Sequence, residues 1–571
     1  MTVGGRWLVP FCCGCGGCRK WYCGTVSDRS LRVYFWPKFL AIGEEIWYSL
    51  KKKTESGMLM KRMIALVVCM AVLLCGCGAK NALGLPMVVK FEDMEYLRPN
   101  MDKIEDAALA AMEAGETAHK SQVVLDAVWK FYEEYESFLT ACDLAWVRYQ
   151  ANLNDIYWER QYEYCAELAP EVDMYLEDLY YSLAQSPHRA ALEEEYFGEG
   201  WFDDYEGESW YDDALLALLE QEQVLIAEYF DLTAAGQELE PEKFYDEYAT
   251  PMAELLGELT VLRREIARES GYDSYTDFAW DYYYDRDYTP AEAADYLAEI
   301  EALVPLYERV NTAEIFAPGS EFCPESAVYD YVKPAAETLG GVAWDAFRLM
   351  DQGELCDISA SPDKSGMSFE LYFYEYAQPY ILISGTGTRY DCLTFAHEFG
   401  HFATDYAAAG SMAGIDVLEV FSQAMELLSL DCVGTEEAFV DMKLADCLGT
   451  YVEQAAFAAF ELALYDLPES ELTAENILKL YEEIGTRYGF AAMEWDSRDL
   501  ITITHFFSNP PCMSSAMWSA MTRLCRSMSW SRRPPALAGQ STWTAWTPNR
   551  APSWPTWRRR GSAPPSSGWT R

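Results

Sequence analysis

Residues 391–430 read DCLTFAHEFGHFATDYAAAGSMAGIDVLEVFSQAMELLSL. The first part is apolar around His397, Glu398 and His401, with Leu393, Phe395, Ala396, Phe399, Phe402 and Ala403 on the flanks. That pattern predicts a buried helix, and Asp391 stands where a residue would cap its start. Residues four apart on a helix share a face, so His397 and His401 can reach one metal ion together. Glu398 lies beside them, where a carboxylate can take a proton from an attacking water. The plain alternative is two core histidines on one helical face. The chain holds 5 histidines, and two of them fall in this pentapeptide, which favours the metal.

A third ligand is sought on the following helix, residues 415–430. At 100° per residue, Glu419, Ser422, Gln423 and Glu426 point within about 60° of one direction. Val420, Phe421, Ala424, Met425, Leu427 and Leu428 cover the rest. A polar stripe on an apolar helix must face something polar and interior, or else bulk solvent. The reading taken is a metal, with Glu419 as third ligand and Ser422 and Glu426 supporting the ligands from behind. Exchange of roles between the two glutamates stays open. Two histidines and a carboxylate suit one Zn2+.

Working outward, residues 368–376 alternate Phe369, Leu371 and Phe373, and residues 379–384 read PYILIS. Flanked by Gly366 and by Gly385-Thr386-Gly387, they predict two strands beside the metal helix. From about 98 to 310 the pattern is helical. Leu125, Val128, Trp129 and Tyr132 fall at i, i+3, i+4, i+7, and the row of Leu215, Leu218 and Leu219 is interrupted by Glu222 before Leu225 and Ile226 resume it. The expected fold class is mainly α with a small sheet.

HEFGH followed by Glu419-Val-Phe-Ser422-Gln423-Ala-Met-Glu426 resembles the oligoendopeptidase F and thimet oligopeptidase family of zinc peptidases, in which HExGH precedes E-x-x-S-x-x-x-E. Arg264-Glu265-Ile266-Ala267, Gly271-Tyr272, Tyr275 and Asp287-Tyr288-Thr289-Pro290 are also similar to that family. The resemblance is specific over roughly 250–510 and looser over 95–250. It implies a large, helical, two-lobed peptidase with a deep channel that admits short peptides. Glu398 would be the general base, His397, His401 and Glu419 the zinc ligands, and Asp391, Ser422 and Glu426 their supports. His505, in Ile503-Thr504-His505-Phe506-Phe507, would contact substrate, and the strand at 380–384 could bind a peptide backbone as an added strand. The family's tyrosines should follow within a dozen residues, yet no tyrosine occurs after residue 510.

Charge divides the chain. Residues 1–76 hold 11 Lys+Arg against 4 Asp+Glu, residues 77–510 hold 23 against 88, and residues 511–571 hold 9 Arg with no acidic residue. The acidic body excludes nucleic acid as a partner, since phosphate binding needs clustered cations. Lys61 and Arg62 precede an apolar run at 63–74 that ends Leu74-Cys75-Gly76-Cys77. This reads as a lipoprotein-type signal peptide over 58–77, with a lipid anchor on Cys77. The expected place is therefore the bacterial cell surface or a periplasm-facing membrane, or else secretion. Residues 1–57 read as spurious upstream translation, 78–250 as an N-terminal helical lobe and 251–510 as the catalytic domain. The Trp-, Pro- and Arg-rich residues 511–571 read as the product of a frame shift. Two functions follow: a zinc-dependent endopeptidase for oligopeptides, or a catalytically impaired, zinc-binding surface lipoprotein that binds peptides.

Overall fold

The computed structural model describes residues 88–507 apart from 206, 208–212, 237–238, 285, 409–414, 433–435 and 491–495. The leader-like segment with Cys77, the residues before it and the tail from 511 lie outside the described residues. Among the described residues no helix is long and apolar enough to cross a membrane.

Helices α1 (Met101–Thr117), α2 (Ser121–Ala151) and α3 (Ile156–Ala184) pack around one core. Asp155 starts α3 by accepting the Tyr157 and Trp158 amides. Ala107, Ala108 and Ala111 on α1 face Val124, Val128 and Phe131 of α2 and Val172 and Leu179 of α3 in that core. Three members of the predicted α2 row, Leu125, Val128 and Tyr132, are buried. Trp129 stays 46% exposed, at the edge of the stripe, with its ring edge-on to Tyr196.

The next helices are α4 (Asp213–Gly236), α5 (Pro241–Glu269) and α6 (Pro290–Ile300). Thr289 and Glu292 close a capping box on α6, with Pro290 opening the helix. The polar interruption at Glu222 has a physical reason. Its carboxylate is wholly buried and takes the Arg263 Nε–H at 2.7 Å. The division expected at residue 250 falls inside α5, and the helices on both sides of it share one core with residues 452–507.

Helices α7 (Glu325–Leu339) and α8 (Gly341–Gly353) lead to a three-stranded sheet of β1 (Cys356–Asp357), β2 (Phe369–Phe373) and β3 (Gln378–Leu382), in the order β1-β3-β2. Two strands were legible from alternation, whereas two-residue β1 carries no period to read. β1 runs parallel to β3 and β2 antiparallel to it, with Leu371 opposite Tyr380. β3 is thus the inner strand, buried along its length and hydrogen-bonded on both sides. This corrects the expectation of an added peptide strand at 380–384: backbone groups already paired cannot pair again, and the edge strands are β1, of two residues, and β2, of five.

The sheet feeds α9 (Tyr390–Ala408), followed by α10 (Ile415–Cys432), α11 (Glu437–Asp466) and α12 (Ala474–Arg487). One lobe has its core between α7, α8, the sheet and α9. The other is built from α4, α5, α6 and α12 with the C-terminal half of α11. Helix α11 runs through both, since Phe439 and Met442 pack with Leu427 and Leu430 of α10, while Val452 to Tyr465 enter the second core.

Candidate metal centre

The loop between β3 and α9 is held from two sides. Gly387 O accepts the Cys323 amide at 2.9 Å, and the Arg389 and Tyr390 amides donate to Glu321 O and Gly319 O. Asp391 lies in the first turn of α9 rather than before it. Its Oδ1 accepts from the Thr386 amide and hydroxyl, and its Oδ2 accepts from the Gly387 amide. It therefore fixes the loop, and its hydrogen bonds go there and not to a histidine, contrary to the supporting role expected for it.

α9 and α10 approach with backbone against backbone at Gly400. A Cβ there would lie 2.6 Å from Ser422 Cα and 2.7 Å from Phe421 O. The glycine of HEFGH is thus required by contact between helices, and it lets Glu419 reach the histidines. The start of α10 is tied to the other lobe. Asp416 accepts from Arg286 at 3.2 Å and from the Tyr288 hydroxyl at 2.8 Å, and the Arg286 guanidinium stacks on Trp280 and Tyr284.

His397, His401 and Glu419 converge, with one donor atom from each lying within 4.8 Å of the others. His397 Nε2 stands 3.5 Å from Glu419 Oε2, and His401 Nε2 stands 3.6 Å from Glu419 Oε1. Bonds of about 2.0–2.1 Å to a tetrahedral ion would put neighbouring donors about 3.4 Å apart. Two imidazoles and a carboxylate therefore fit such an ion in both chemistry and spacing. Of the two glutamates on the stripe, Glu419 faces both Nε2 atoms, and Glu426 meets the far side of His397, with Oε1 2.9 Å from Nδ1. An ionised carboxylate only accepts, so Nδ1 carries a proton, and Nε2, on the side of Glu419, is the nitrogen left to bind an ion once its own proton is shed. Buried Ser422 donates to Glu419 Oε2 at 3.0 Å and steadies that carboxylate.

The electrostatics follow from burial and these contacts. Burial alone would lower His397, but Glu419 and Glu426 override it and raise the group to about 10. Glu419 is held down at about 2, where His397 and His401 overcome the upward push of burial. Glu398 is 8% exposed, and burial pushes its carboxyl upward.

His505 lies on a short helix, Thr504–Phe507, whose Phe506 and Phe507 are buried in the second core. Arg263 takes the carbonyls of both phenylalanines, at 2.9 and 3.1 Å. Burial lowers the His505 pKa. Among the described residues no hydrogen bond or ion pair joins His505 to the three converging side chains. One neighbour of the centre was not read from the sequence. Lys443 of α11 reaches Glu426 Oε2 at 2.5 Å. The available signal was its place as the only basic residue in a 30-residue helix.

Residues 91–208 match the Peptidase M3 N-terminal domain family. Among solved structures, the chain is similar to an oligoendopeptidase F determined at 3.1 Å, with a TM-score of 0.65 and 20% identity over 77% of this chain and 90% of that one. It is equally similar to PZ peptidase A crystallised with an inhibitor, at the same score, identity and coverage. An oligoendopeptidase F from Bacillus anthracis str. Ames gives a TM-score of 0.65 at 19% identity, over 80% of this chain and 91% of that one. At these identities the likeness is one of fold. No curated protein matches the chain by sequence.

Proposed function

We propose that this chain is a member of the M3 peptidase family and a zinc-dependent endopeptidase that hydrolyses bonds within short peptides. The observation that carries the reading is the convergence of His397, His401 and Glu419 with Glu398 buried on the same helix. A zinc ion held by the three side chains would supply Lewis acidity toward the scissile carbonyl. Glu398, raised by burial, is suited to accept a proton from the attacking water and return it to the leaving amine. Glu426 and Ser422 hold the ligands in orientation, and Asp391 keeps the preceding loop in place. Peptide backbone would pair with the outer edge of β2, the strand that β3 leaves free on one side. His505 is assigned to substrate contact on the resemblance of its segment alone. The leader read at residues 58–77 supports a lipid anchor on Cys77 and a place on the bacterial surface, which loss of labelled-fatty-acid incorporation in Cys77→Ser would test.

The test of activity is hydrolysis of an internally quenched oligopeptide library, with and without chelator, beside Glu398→Gln. Chelator-sensitive cleavage that is lost in the variant is the expected result. A folded, zinc-loaded protein that cleaves nothing would favour the second reading, a zinc-binding lipoprotein that only binds peptides. That reading draws on the lack of any tyrosine after residue 510.

A further inference from the structure

Lys443 is a buried cation, 5% exposed, in a part of α11 that otherwise packs apolar residues such as Phe439 and Met442 against α10. Burying an ammonium is unfavourable unless it is paired and hydrogen-bonded. Here its Nζ lies 2.5 Å from Glu426 Oε2 and 2.6 Å from Asp446 Oδ2. The other oxygen of Glu426 meets His397 Nδ1 at 2.9 Å. The four side chains form one line, Asp446 to Lys443 to Glu426 to His397, that crosses from α11 through α10 to α9.

We propose that Lys443 is a positioning residue for the metal centre, acting on His397 through Glu426. This rests on the reading of His397, His401 and Glu419 as metal ligands. A carboxylate gripped by one oxygen alone can turn about its Cγ–Cδ bond. Gripped at both oxygens by groups on different helices, it has its plane set, and with it the direction in which the His397 imidazole presents Nε2. Partners of this kind behind a ligand typically change metal affinity by about 10–100-fold when removed. Asp446 keeps the ammonium in place from the solvent side, since its own side chain is 33% exposed.

The experiment measures zinc affinity by competition with a chromogenic chelator, together with the visible spectrum of the cobalt-substituted protein, for the full chain and three variants. Lys443→Met is expected to weaken zinc binding by about 10–100-fold and to alter the cobalt spectrum, while circular dichroism shows a folded protein. Glu426→Gln is expected to do the same. Because both act through one link, the double variant should bind no more weakly than Glu426→Gln alone. If methionine prevents folding, Lys443→Gln is measured in its place with the same expectation. Unchanged zinc affinity and spectrum in a folded Lys443 variant, even one with a lowered Tm, would overturn the proposal. Losses that simply multiply in the double variant would overturn it too. A wild-type chain that binds no zinc would overturn the metal-centre reading itself, and is distinguished from the other failures by that control.

Discussion

At Glu398 a charge is buried beside two imidazoles, and burial raises its pKa. A carboxyl so placed is poised for proton transfer nearer neutrality than an exposed one. Glu398→Gln is expected to lower kcat by about 10²–10⁴ while zinc stays bound, measured by peptide hydrolysis beside metal analysis. His397 gives a second prediction. Without metal it keeps its proton up to about 10, because Glu419 and Glu426 outweigh burial. A ligand must shed that proton to bind, so acid competes with zinc. Apparent zinc affinity should therefore rise with pH, by up to about tenfold per unit between about pH 6 and 9. An affinity that is flat over that range would count against His397 as a ligand.

Among elements, the approach of α9 to α10 decides the centre. Gly400→Ala would place a methyl group against Ser422 Cα and Phe421 O, which are backbone and cannot swing aside. Overpacking of this kind costs about 1–3 kcal/mol. The variant should show a lower Tm and weaker zinc binding, because Glu419 rides on the displaced helix. Arg263 plays a comparable part in the second lobe. Wholly buried, it joins Glu222 of α4 to the carbonyls of Phe506 and Phe507 and contacts the Tyr465 hydroxyl of α11. Arg263→Met leaves Glu222 as a buried, unpaired charge and should destabilise the protein by about 3–5 kcal/mol in denaturant unfolding.

For the whole molecule, residues 77–510 carry 88 acidic against 23 basic side chains. Such an excess repels itself in the compact state, and salt screens the repulsion. Thermal unfolding should therefore move upward as sodium chloride rises from about 0.01 to 0.15 M, over which the Debye length falls from about 30 to 8 Å. An unchanged or falling Tm would show that specific ion pairs, such as Arg286 with Asp416, outweigh the general field.

What the sequence by itself determined is what one helix or one strand can encode. His397 and His401 share a face because they are four apart, and the stripe of Glu419, Ser422 and Glu426 is a property of 100° per residue. The helical class and two of the three strands come from periods of the same local kind. What only the tertiary structure decided joins segments far apart in the chain. Glu426 turns to His397 and Glu419 to the shared point, a choice that angle alone leaves open between two glutamates on one face. Asp391 anchors a loop, Gly400 admits a neighbouring backbone, Glu222 meets Arg263 across 41 residues, and Lys443 arrives from the next helix. A periodic pattern records which side of an element is buried but not which partner meets it, because the partner is set by how the helices pack.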